Sequence, residues 1–346
     1  MNIIPVIDMH CDTISEILKA RLHGRNISLR ENDLSLDLMR MKSAGYMCQN
    51  FALFTMMGHW MSDAAGQKAD PVRELYPTPF DCVIAMSDIY DNEIQLNSDI
   101  IRPAFSGTEI KAYADMGFMA ALKTVEEGAV YEGKVENLER LYDHGVRMTT
   151  LTWNFENELA FPNAIDMQTG KASADTVNGL KAAGRDIVKA CSELGVIVDV
   201  SHLGDAGILE VLDILPPDVP IVASHSNARS VAGHPRNVTD EMLRKIADRG
   251  GVCGLNYCSE FANGVDGSMT MADDLVQHIR HMADVGGMEC IGLGSDYDGI
   301  NNEVETGGCE GMQLMAERIA AAGIPEEDVE KIFYKNVLRL YSDVLG

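Results

Sequence analysis

The sequence predicts an α/β protein built as a single (β/α)8 barrel of the TIM type. Eight short apolar runs occur along the chain, and the longer stretches between them carry apolar residues at spacings of three and four. The length of 346 residues suits one such barrel, and polar residues cluster where the apolar runs end. An open doubly wound sheet is the alternative, but the count of eight favours the barrel.

The eight apolar runs are the predicted strands. Most of them are short and lack strict alternation of apolar and polar residues, which is typical of strands buried on both faces. In chain order they cover residues 3–7, 49–54, 118–125, 146–152, 196–200, 220–223, 251–256 and 290–294. We expect all of them to belong to one domain that covers residues 1–346.

Helical periodicity lies between these runs and in most cases stops at a glycine, a residue that commonly ends helices. The predicted helices cover residues 34–45, 138–145, 180–195, 239–250, 271–286 and 326–345. Residues 56–80 fit neither a strand nor a clear helix. We expect them to form a long insertion loop after the second strand, near the top of the barrel.

Composition excludes several classes of function. The chain has 53 acidic and 28 basic residues, and its net charge of -25 argues against binding to nucleic acid. No apolar run approaches the ~18 residues of a membrane span, and the first residues lack the basic region of a signal peptide. The eight cysteines are scattered without a C-x-x-C pair, so we expect a cytoplasmic protein without structural disulfides.

The first run is followed by a possible pair of metal ligands. Because side chains alternate along an extended chain, Asp8, His10 and Asp12 share one side, and Cys11 points away from them. An imidazole and a carboxylate aimed at one point suit Zn²⁺ or a similar divalent ion. The alternative is a buried histidine with a capping aspartate. We expect Asp8 to accept the spare N–H of the ligating histidine.

Three other runs end in residues that can bind the same metal. The third run is followed by Glu126 and Glu127, and the fifth and sixth end in Ser-His pairs that contain His202 and His225. Together with His10, these residues would bring three imidazoles and two carboxylates to one barrel rim. That set is too large for one tetrahedral ion and suits two ions that share a bridging carboxylate. The pattern alone leaves open which glutamate faces the centre.

Two further residues are candidates for contact with a substrate. Asp296 follows the eighth run and can act as a general base or polarise a water molecule. Arg236 lies in the loop after the sixth strand and can bind a carboxylate with two parallel hydrogen bonds, although a surface salt bridge is an equal alternative. Other chemistries lack support, because the sequence has neither a G-x-S-x-G elbow nor a P-loop.

Taken together, the motifs of the sequence resemble those of a known family, the membrane (renal) dipeptidases. These are zinc dipeptidases of the amidohydrolase-like barrels. The likeness extends from about residue 5 to about residue 341. Its landmarks, in chain order, are PVIDMHCDT, VEEG, GVRMTTLTWN, LGVIVDVSHL, ASHSNAR followed by HPRNVTD, GLGSDYDG and KNVLRL. Several motifs in the family order identify the resemblance far more specifically than any one of them.

The resemblance implies roles for named residues. It implies two zinc ions per chain, held by His10 and Asp12 on one ion, by His202 and His225 on the other, and by Glu126 between them. Arg236 would bind the terminal carboxylate of the substrate, and Asp296 would lie beside the bridging water and the free amine. One position departs from the pattern, because Trp153 stands where well-studied members have a histidine that contacts the reacting centre. That change removes a candidate donor to the developing oxyanion.

The function that follows is the hydrolysis of dipeptides by a hydroxide activated between two zinc ions, with Asp296 and Glu126 in catalytic roles and Trp153 lining the substrate site. An amidohydrolase that acts on N-acyl amino acids or lactams is one alternative, and a non-catalytic peptide-binding relative is another. The secretion and anchor signals of animal members are absent. We therefore expect a soluble protein that acts on small molecules and binds neither nucleic acid nor membrane, and the resemblance implies a homodimer.

Overall fold

A computed structural model describes residues 3–61, 71–165 and 171–346. These residues contain eleven strands: β1 Val6–Asp8, β2 Tyr46–Phe54, β3 Ile101–Pro103, β4 Met119–Glu126, β5 Val146–Thr150, β6 Ala164–Ile165, β7 Ala172–Ser173, β8 Ile197–Asp199, β9 Val222–Ala223, β10 Val252–Leu255 and β11 Ile291–Leu293. Each of the eight predicted runs overlaps one of the strands of the main sheet.

Eight of the strands close into a parallel barrel. The order around it is β2-β1-β11-β10-β9-β8-β5-β4, and β4 pairs again with β2 from Cys48↔Ala120 to Phe54↔Glu126. The predicted (β/α)8 barrel is therefore confirmed. The prediction missed the short strand β3, which pairs with the first residues of β4, and the antiparallel hairpin of β6 and β7.

Helices surround the barrel. Each of the six predicted helices overlaps at least one of them, whereas the helices over residues 13–22, 79–96, 107–115, 205–214 and 312–321 are not predicted. In chain order, the helices are α1 Thr13–Leu22, α2 Leu38–Ser43, α3 Gly58–Met61, α4 Pro71–Leu75, α5 Pro79–Leu96, α6 Gly107–Asp115, α7 Val135–Asp143, α8 Ala182–Leu194, α9 Asp205–Ile214, α10 Asp240–Asp248, α11 Ser259–Ala262, α12 Ala272–Gly286, α13 Met312–Ala321, α14 Glu326–Glu330 and α15 Asn336–Leu345. A π-helical turn, Lys331–Lys335, connects the last two. Short 3₁₀ turns cover Gly128–Tyr131, Met288–Cys290 and Cys309–Gly311.

Local sequence signals account for many helix boundaries. α5 begins at Pro79, where the side chain of Thr78 accepts a hydrogen bond from the backbone N–H of Asp81. α8 ends at Leu194 and is capped by Gly195, whose φ of 73° is in the left-handed region that glycine adopts without strain. The predicted insertion of residues 56–80 is not a continuous loop, because it contains the short helices α3 and α4. Residues 62–70 of that insertion lie outside the described residues.

The inside of the barrel is filled by apolar side chains from the strands, including Ile7, Leu122 and Val222. α15 packs Val337, Leu340 and Tyr341 against this inner cluster. It also contacts the start of a strand, because Arg339 Nη1 donates a hydrogen bond of 2.8 Å to the carbonyl of Gly250, just before β10. The helix therefore closes the end of the barrel where the strands begin. The opposite end, where the strands finish, is left to polar residues.

A large apolar cluster lies between the strands and the surrounding helices. The eight cysteines are free thiols, and all of them except Cys258 are buried. In the part of the chain that the structure describes, no helix combines the length and the apolar character needed to cross a bilayer.

Candidate metal centre

The ligand candidates lie together at one end of the barrel. Because all eight strands are parallel, their carboxyl ends meet at the same rim. His10 and His225 come two residues after β1 and β9, His202 and Asp296 come three residues after β8 and β11, and Glu126 is the last residue of β4. Four of the five are buried, and Asp296 is partly buried.

Glu126 lies at the centre of three imidazoles. Its Oε2 is 3.2 Å from His10 Nε2, and its Oε1 is 3.1 Å from His202 Nε2 and 3.7 Å from His225 Nε2. The carboxylate therefore reaches histidines from three different strand ends. Between the two glutamates that the sequence pattern left open, the structure brings Glu126 to this position.

Two further carboxylates approach the same nitrogen of His10. Its Nε2 is 3.9 Å from Asp12 Oδ2 and 3.8 Å from Asp296 Oδ1. Two groups of candidate ligand atoms result, with His10 in both: one with Glu126 and His225, the other with Asp12 and Asp296. Within each group the atoms lie within 4.8 Å of one another. Asp296, which the sequence suggested as a base, thus comes as close to His10 as Asp12 does.

The hydrogen bonds behind two of the imidazoles define where their protons lie. Ser224 Oγ donates to the carboxylate of Asp199 at 2.5 Å, so it accepts from His225 Nδ1 at 2.7 Å. His202 Nδ1 donates to the amide oxygen of Asn154 at 2.9 Å. Both rings then present the lone pair of Nε2 to the centre, where the two nitrogens are 3.0 Å apart. Two facing lone pairs repel each other, and a cation between them would convert that repulsion into two bonds.

Unpaired polar atoms at the same place also fit a metal. His10 Nε2 and Asp12 Oδ1 are buried and have no hydrogen-bond partner among the described residues. Buried polar atoms are normally paired, and those that are not need a specific explanation. The set of imidazoles and carboxylates is the donor set that Zn²⁺ binds in proteins. The residues present therefore fit a metal centre.

Burial is the largest cause of the pKa shifts of four groups in the cluster, whereas at His10 the lowering effect of burial is outweighed by the carboxylates of Glu126 and Asp12, which raise its pKa well above the ordinary value. Burial raises the pKa of Glu126 to about 7 and that of Asp296 to about 6. Burial also lowers the pKa of His202 and His225 well below the ordinary value for histidine, and the positive charge of Arg236 adds to this effect. The protein alone thus disfavours the charged forms of these four groups, whereas a divalent cation would favour ionised carboxylates and neutral imidazoles.

A cavity of about 340 Å³ opens above the cluster. Its walls include Phe54, Trp153 and Phe261, and its base includes Glu126 and Asp296. The Trp153 ring lies 5.1 Å from the ring of Phe54 and 6.1 Å from that of His202, measured between ring centroids. Trp153 is therefore part of the cavity wall beside a candidate ligand.

Arg236 is buried, with 8% of its surface exposed, which excludes the alternative of a surface salt bridge. Its Nη1 donates to Ser226 Oγ at 2.9 Å, and its Nη2 donates to the carbonyl of His225 at 3.1 Å. Its Nε is buried without a hydrogen-bond partner in the described part of the chain. A buried guanidinium with an unused donor has spare capacity to bind an anion.

The support of the ligands differs in part from the prediction. Asp8 was expected to accept an imidazole N–H, but its carboxylate accepts the backbone N–H of Ser295 at 2.9 Å, the Ser295 hydroxyl at 2.6 Å and the backbone N–H of His10. The supporting carboxylate that sequence analysis missed is Asp199, which also accepts the backbone N–H groups of Ser201 and Ser224 at 2.9 Å. The sequence did contain a signal for this role, because Asp199 is a charged residue within the apolar run of residues 196–200.

Glu127 and Gly299 shape the rim without facing the cluster. Glu127 is fully buried at a φ of 87°, and its carboxylate accepts hydrogen bonds from the backbone N–H of Trp153 at 3.0 Å and of Ala129 at 2.9 Å. Glu127 is thus a buried anchor for the neighbouring loop and not a solvated residue. Gly299 leaves room for the carboxylates, because a Cβ there would lie 2.3 Å from Asp12 Oδ2.

Two curated proteins are similar to this chain in sequence. In Claviceps purpurea, the dipeptidase tcpJ is 30% identical over 261 residues, which cover 74% of this chain and 58% of that protein. A Klebsiella pneumoniae protein encoded in the pqqA 5' region is 30% identical over 268 residues, or 77% of this chain and 97% of that one. The match thus spans little more than half of the fungal protein and nearly all of the bacterial one.

Solved structures resemble the whole fold. The metallopeptidase dipeptidase AC, of family M19, has a TM-score of 0.87 at 24% identity, with full coverage of both chains. A Rhodobacter sphaeroides metallopeptidase, solved with a phosphinate mimic of the dipeptide L-Ala-D-Ala, has a TM-score of 0.86 at 23% identity and covers 99% of this chain and 100% of its own. The family model of the membrane dipeptidases, peptidase family M19, matches residues 1–345. The chain therefore belongs to the membrane dipeptidase family.

Proposed function

We propose that the protein is a zinc-dependent dipeptidase that hydrolyses the peptide bond of dipeptides with free termini. The observation that carries the proposal is the position of Glu126, whose two carboxylate oxygens lie 3.1–3.7 Å from the Nε2 atoms of three histidines. A carboxylate between imidazoles from separate strands is the arrangement that a pair of divalent ions requires. Membership of a dipeptidase family supports the same reaction.

Five residues would hold two zinc ions: His10 and Asp12 on one side, His202 and His225 on the other, and Glu126 between them. Bound there, the ions would polarise the peptide carbonyl and supply a water molecule that ionises near neutral pH. The hydrogen bonds from His225 to Ser224 and from His202 to Asn154 keep both Nε2 lone pairs directed inwards.

Arg236 binds the carboxylate of the substrate in this proposal. Its guanidinium is buried, held by Ser226 and the carbonyl of His225, and keeps the unpaired donor Nε. The guanidinium lies 5.4 Å from the ring centroid of Phe261, which lines the cavity, and a fixed positive charge there would favour a free carboxyl group one residue beyond the scissile bond. Chains longer than a dipeptide would leave that charge without its partner, which supports a preference for dipeptides.

Asp296 transfers the proton of the attacking water in this proposal. Asn256 Nδ2 donates to its Oδ2 at 3.0 Å, and its other oxygen faces His10 at 3.8 Å, so one oxygen is fixed and the other is directed to the cluster. From this position the carboxylate takes a proton from the attacking water and passes it to the leaving amine. The cavity of about 340 Å³ suits a small substrate and leaves little room for bulk water.

The test combines metal analysis with a substrate panel. Purified protein is expected to contain two zinc equivalents per chain and to cleave free dipeptides, while N-acetyl amino acids and lactams remain intact. Cleavage of the N-acetyl compounds instead would indicate an amidohydrolase. Tight binding of dipeptides without turnover in zinc-supplemented buffer would indicate a non-catalytic relative. The family resemblance also supports a homodimer, which light scattering after size-exclusion chromatography would test.

A further inference from the structure

The two histidines on the Glu126 Oε1 side are supported in different ways. His225 Nδ1 contacts Ser224, which is linked to the buried carboxylate of Asp199 inside the barrel. His202 Nδ1 instead contacts a neutral side chain, Asn154, which lies in the loop after β5 and lines the cavity. One imidazole is thus held from the barrel interior and the other from the wall of the substrate cavity.

His202 needs an external support more than its neighbour does. Its backbone has a φ of 66°, which is uncommon for a residue other than glycine, and it lies three residues beyond the end of β8. Its Nε2 lies 3.1 Å from Glu126 and 3.0 Å from His225 Nε2, so a rotated ring would lose both positions. The contact with Asn154 Oδ1 is the hydrogen bond that the structure gives to Nδ1.

The loop that carries Asn154 is itself anchored. The backbone N–H of Trp153, one residue earlier, donates to the buried carboxylate of Glu127 at 3.0 Å. The side chain of Asn157, three residues later, donates to the same carboxylate at 2.5 Å and to the carbonyl of Leu151 at 2.9 Å. Asn154 therefore sits on a fixed piece of backbone, which is the condition for an amide to orient another side chain.

We propose that Asn154 is a positioning residue of the metal centre: its amide oxygen holds His202 in the Nδ1–H tautomer, so that the Nε2 lone pair faces Glu126. The proposal deepens the proposed function and rests on it only in requiring that the cluster binds metal. Partners of this kind fix the tautomer and orientation of ligating histidines, and their removal typically costs about 10–100-fold in metal affinity.

Three variants separate this role from a general effect on the cavity. Asn154→Leu keeps the size of the side chain and removes the acceptor, whereas Asn154→Asp keeps an acceptor and adds negative charge. Asn301→Leu is the matched control, since Asn301 also lines the cavity but makes no described hydrogen bond to an imidazole. Circular dichroism and thermal unfolding of the metal-free proteins verify that all variants fold.

The experiment titrates metal-free full-length protein with zinc against a chelating indicator of known affinity. We expect Asn154→Leu to weaken one of the two zinc sites by about 10–100-fold, and Asn154→Asp and Asn301→Leu to match the wild type within a few-fold. Long-range ¹H–¹⁵N spectra of histidine-labelled apoprotein, assigned with His202→Ala, should show the Nδ1–H tautomer of His202 in the wild type and its loss in Asn154→Leu.

The outcomes distinguish this inference from the proposed function. Wild-type zinc affinity in Asn154→Leu, or no rescue by Asn154→Asp, would overturn the role of Asn154 even if the wild type hydrolyses dipeptides. A wild type that binds two zinc ions but cleaves no dipeptide would overturn the function, while the affinities would still decide the role of Asn154. A folded wild type that binds no zinc would overturn both.

Discussion

At the scale of single residues, Glu126 and His202 carry the largest expected effects. Both are buried, and their side chains lie 3.1 Å apart within the candidate metal cluster. Glu126→Ala or His202→Ala should lower kcat/KM for dipeptides by orders of magnitude and leave the fold intact, because each removes a ligand and little apolar packing. The measurement is turnover at matched metal content, with circular dichroism as the check on folding. Glu139→Ala, an exposed change on α7, is the control. Near-normal turnover in either ligand variant would contradict the assignment.

Arg236 is expected to determine which end of the substrate is recognised. Arg236→Met should lower kcat/KM for free dipeptides by about 10–100-fold, since a hydrogen bond to a charged group contributes roughly 1.5–3 kcal/mol. The kcat/KM of Arg236→Lys should lie between those of the wild type and Arg236→Met, because lysine keeps the charge without the planar fork. Dipeptide amides provide an independent check on the wild type, which should cleave them poorly. Equal cleavage of acids and amides by the wild type would exclude the proposed role of Arg236.

At the scale of elements, the predictable part of the site is the set of strand ends. His10, His202, His225 and Asp296 each follow a short apolar run, and the parallel barrel brings such ends to one rim. The sequence therefore identifies these four residues as site candidates even when it does not show which strands are adjacent. The supporting contacts are not predictable in this way, because they join elements whose adjacency depends on the closed barrel. The partner of Asp8, for example, is Ser295 beside β11, at a separation of 287 residues.

Sequence analysis also cannot tell which of two consecutive glutamates faces the metal cluster. Glu126 ends β4 and faces the centre, whereas Glu127, at a φ of 87°, turns its carboxylate towards the next loop. Nothing in the letters of VEEG separates the two, since the distinction arises from backbone conformation. Short elements are missed for a similar reason: β6 and β7 are two residues each and derive their pairing from a hairpin rather than from a long apolar pattern.

The loop after β5 should depend on Glu127 for its stability. Glu127→Ala removes a carboxylate that accepts from Trp153, Ala129 and Asn157. The backbone N–H groups of Trp153 and Ala129 then lose their partner, whereas Asn157 keeps its hydrogen bond to the carbonyl of Leu151. An unsatisfied buried donor costs roughly 1–3 kcal/mol, so the free energy of unfolding should fall by about 2 kcal/mol or more. Urea denaturation measures this change. Glu156→Ala, in the same loop, removes an exposed ion pair and should cost at most about 1 kcal/mol. Similar losses in the two variants would argue against the anchoring role.

At the scale of the whole molecule, the two ends of the barrel serve different purposes. The end where the strands begin is closed by α15 through apolar contacts of Val337, Leu340 and Tyr341. The end where they finish holds buried imidazoles and carboxylates with unpaired atoms. The first arrangement stabilises the fold, and the second opposes folding until a cation compensates the buried lone pairs and charges. A net charge of -25 also favours the approach of cations to the protein.

Stability and metal binding should therefore be coupled. A ligand that binds only the folded state raises the free energy of unfolding by about 2.7 kcal/mol when its free concentration is about 100 times its Kd. Zinc added to the metal-free protein should accordingly raise the Tm, and a chelator should lower it again; differential scanning calorimetry measures both steps. Magnesium is the matched control, because it prefers six oxygen ligands and should raise the Tm less. The zinc-dependent rise should also shrink in His202→Ala, which lacks one ligand. A Tm that does not respond to zinc in the folded apoprotein would contradict a buried metal centre at the barrel rim.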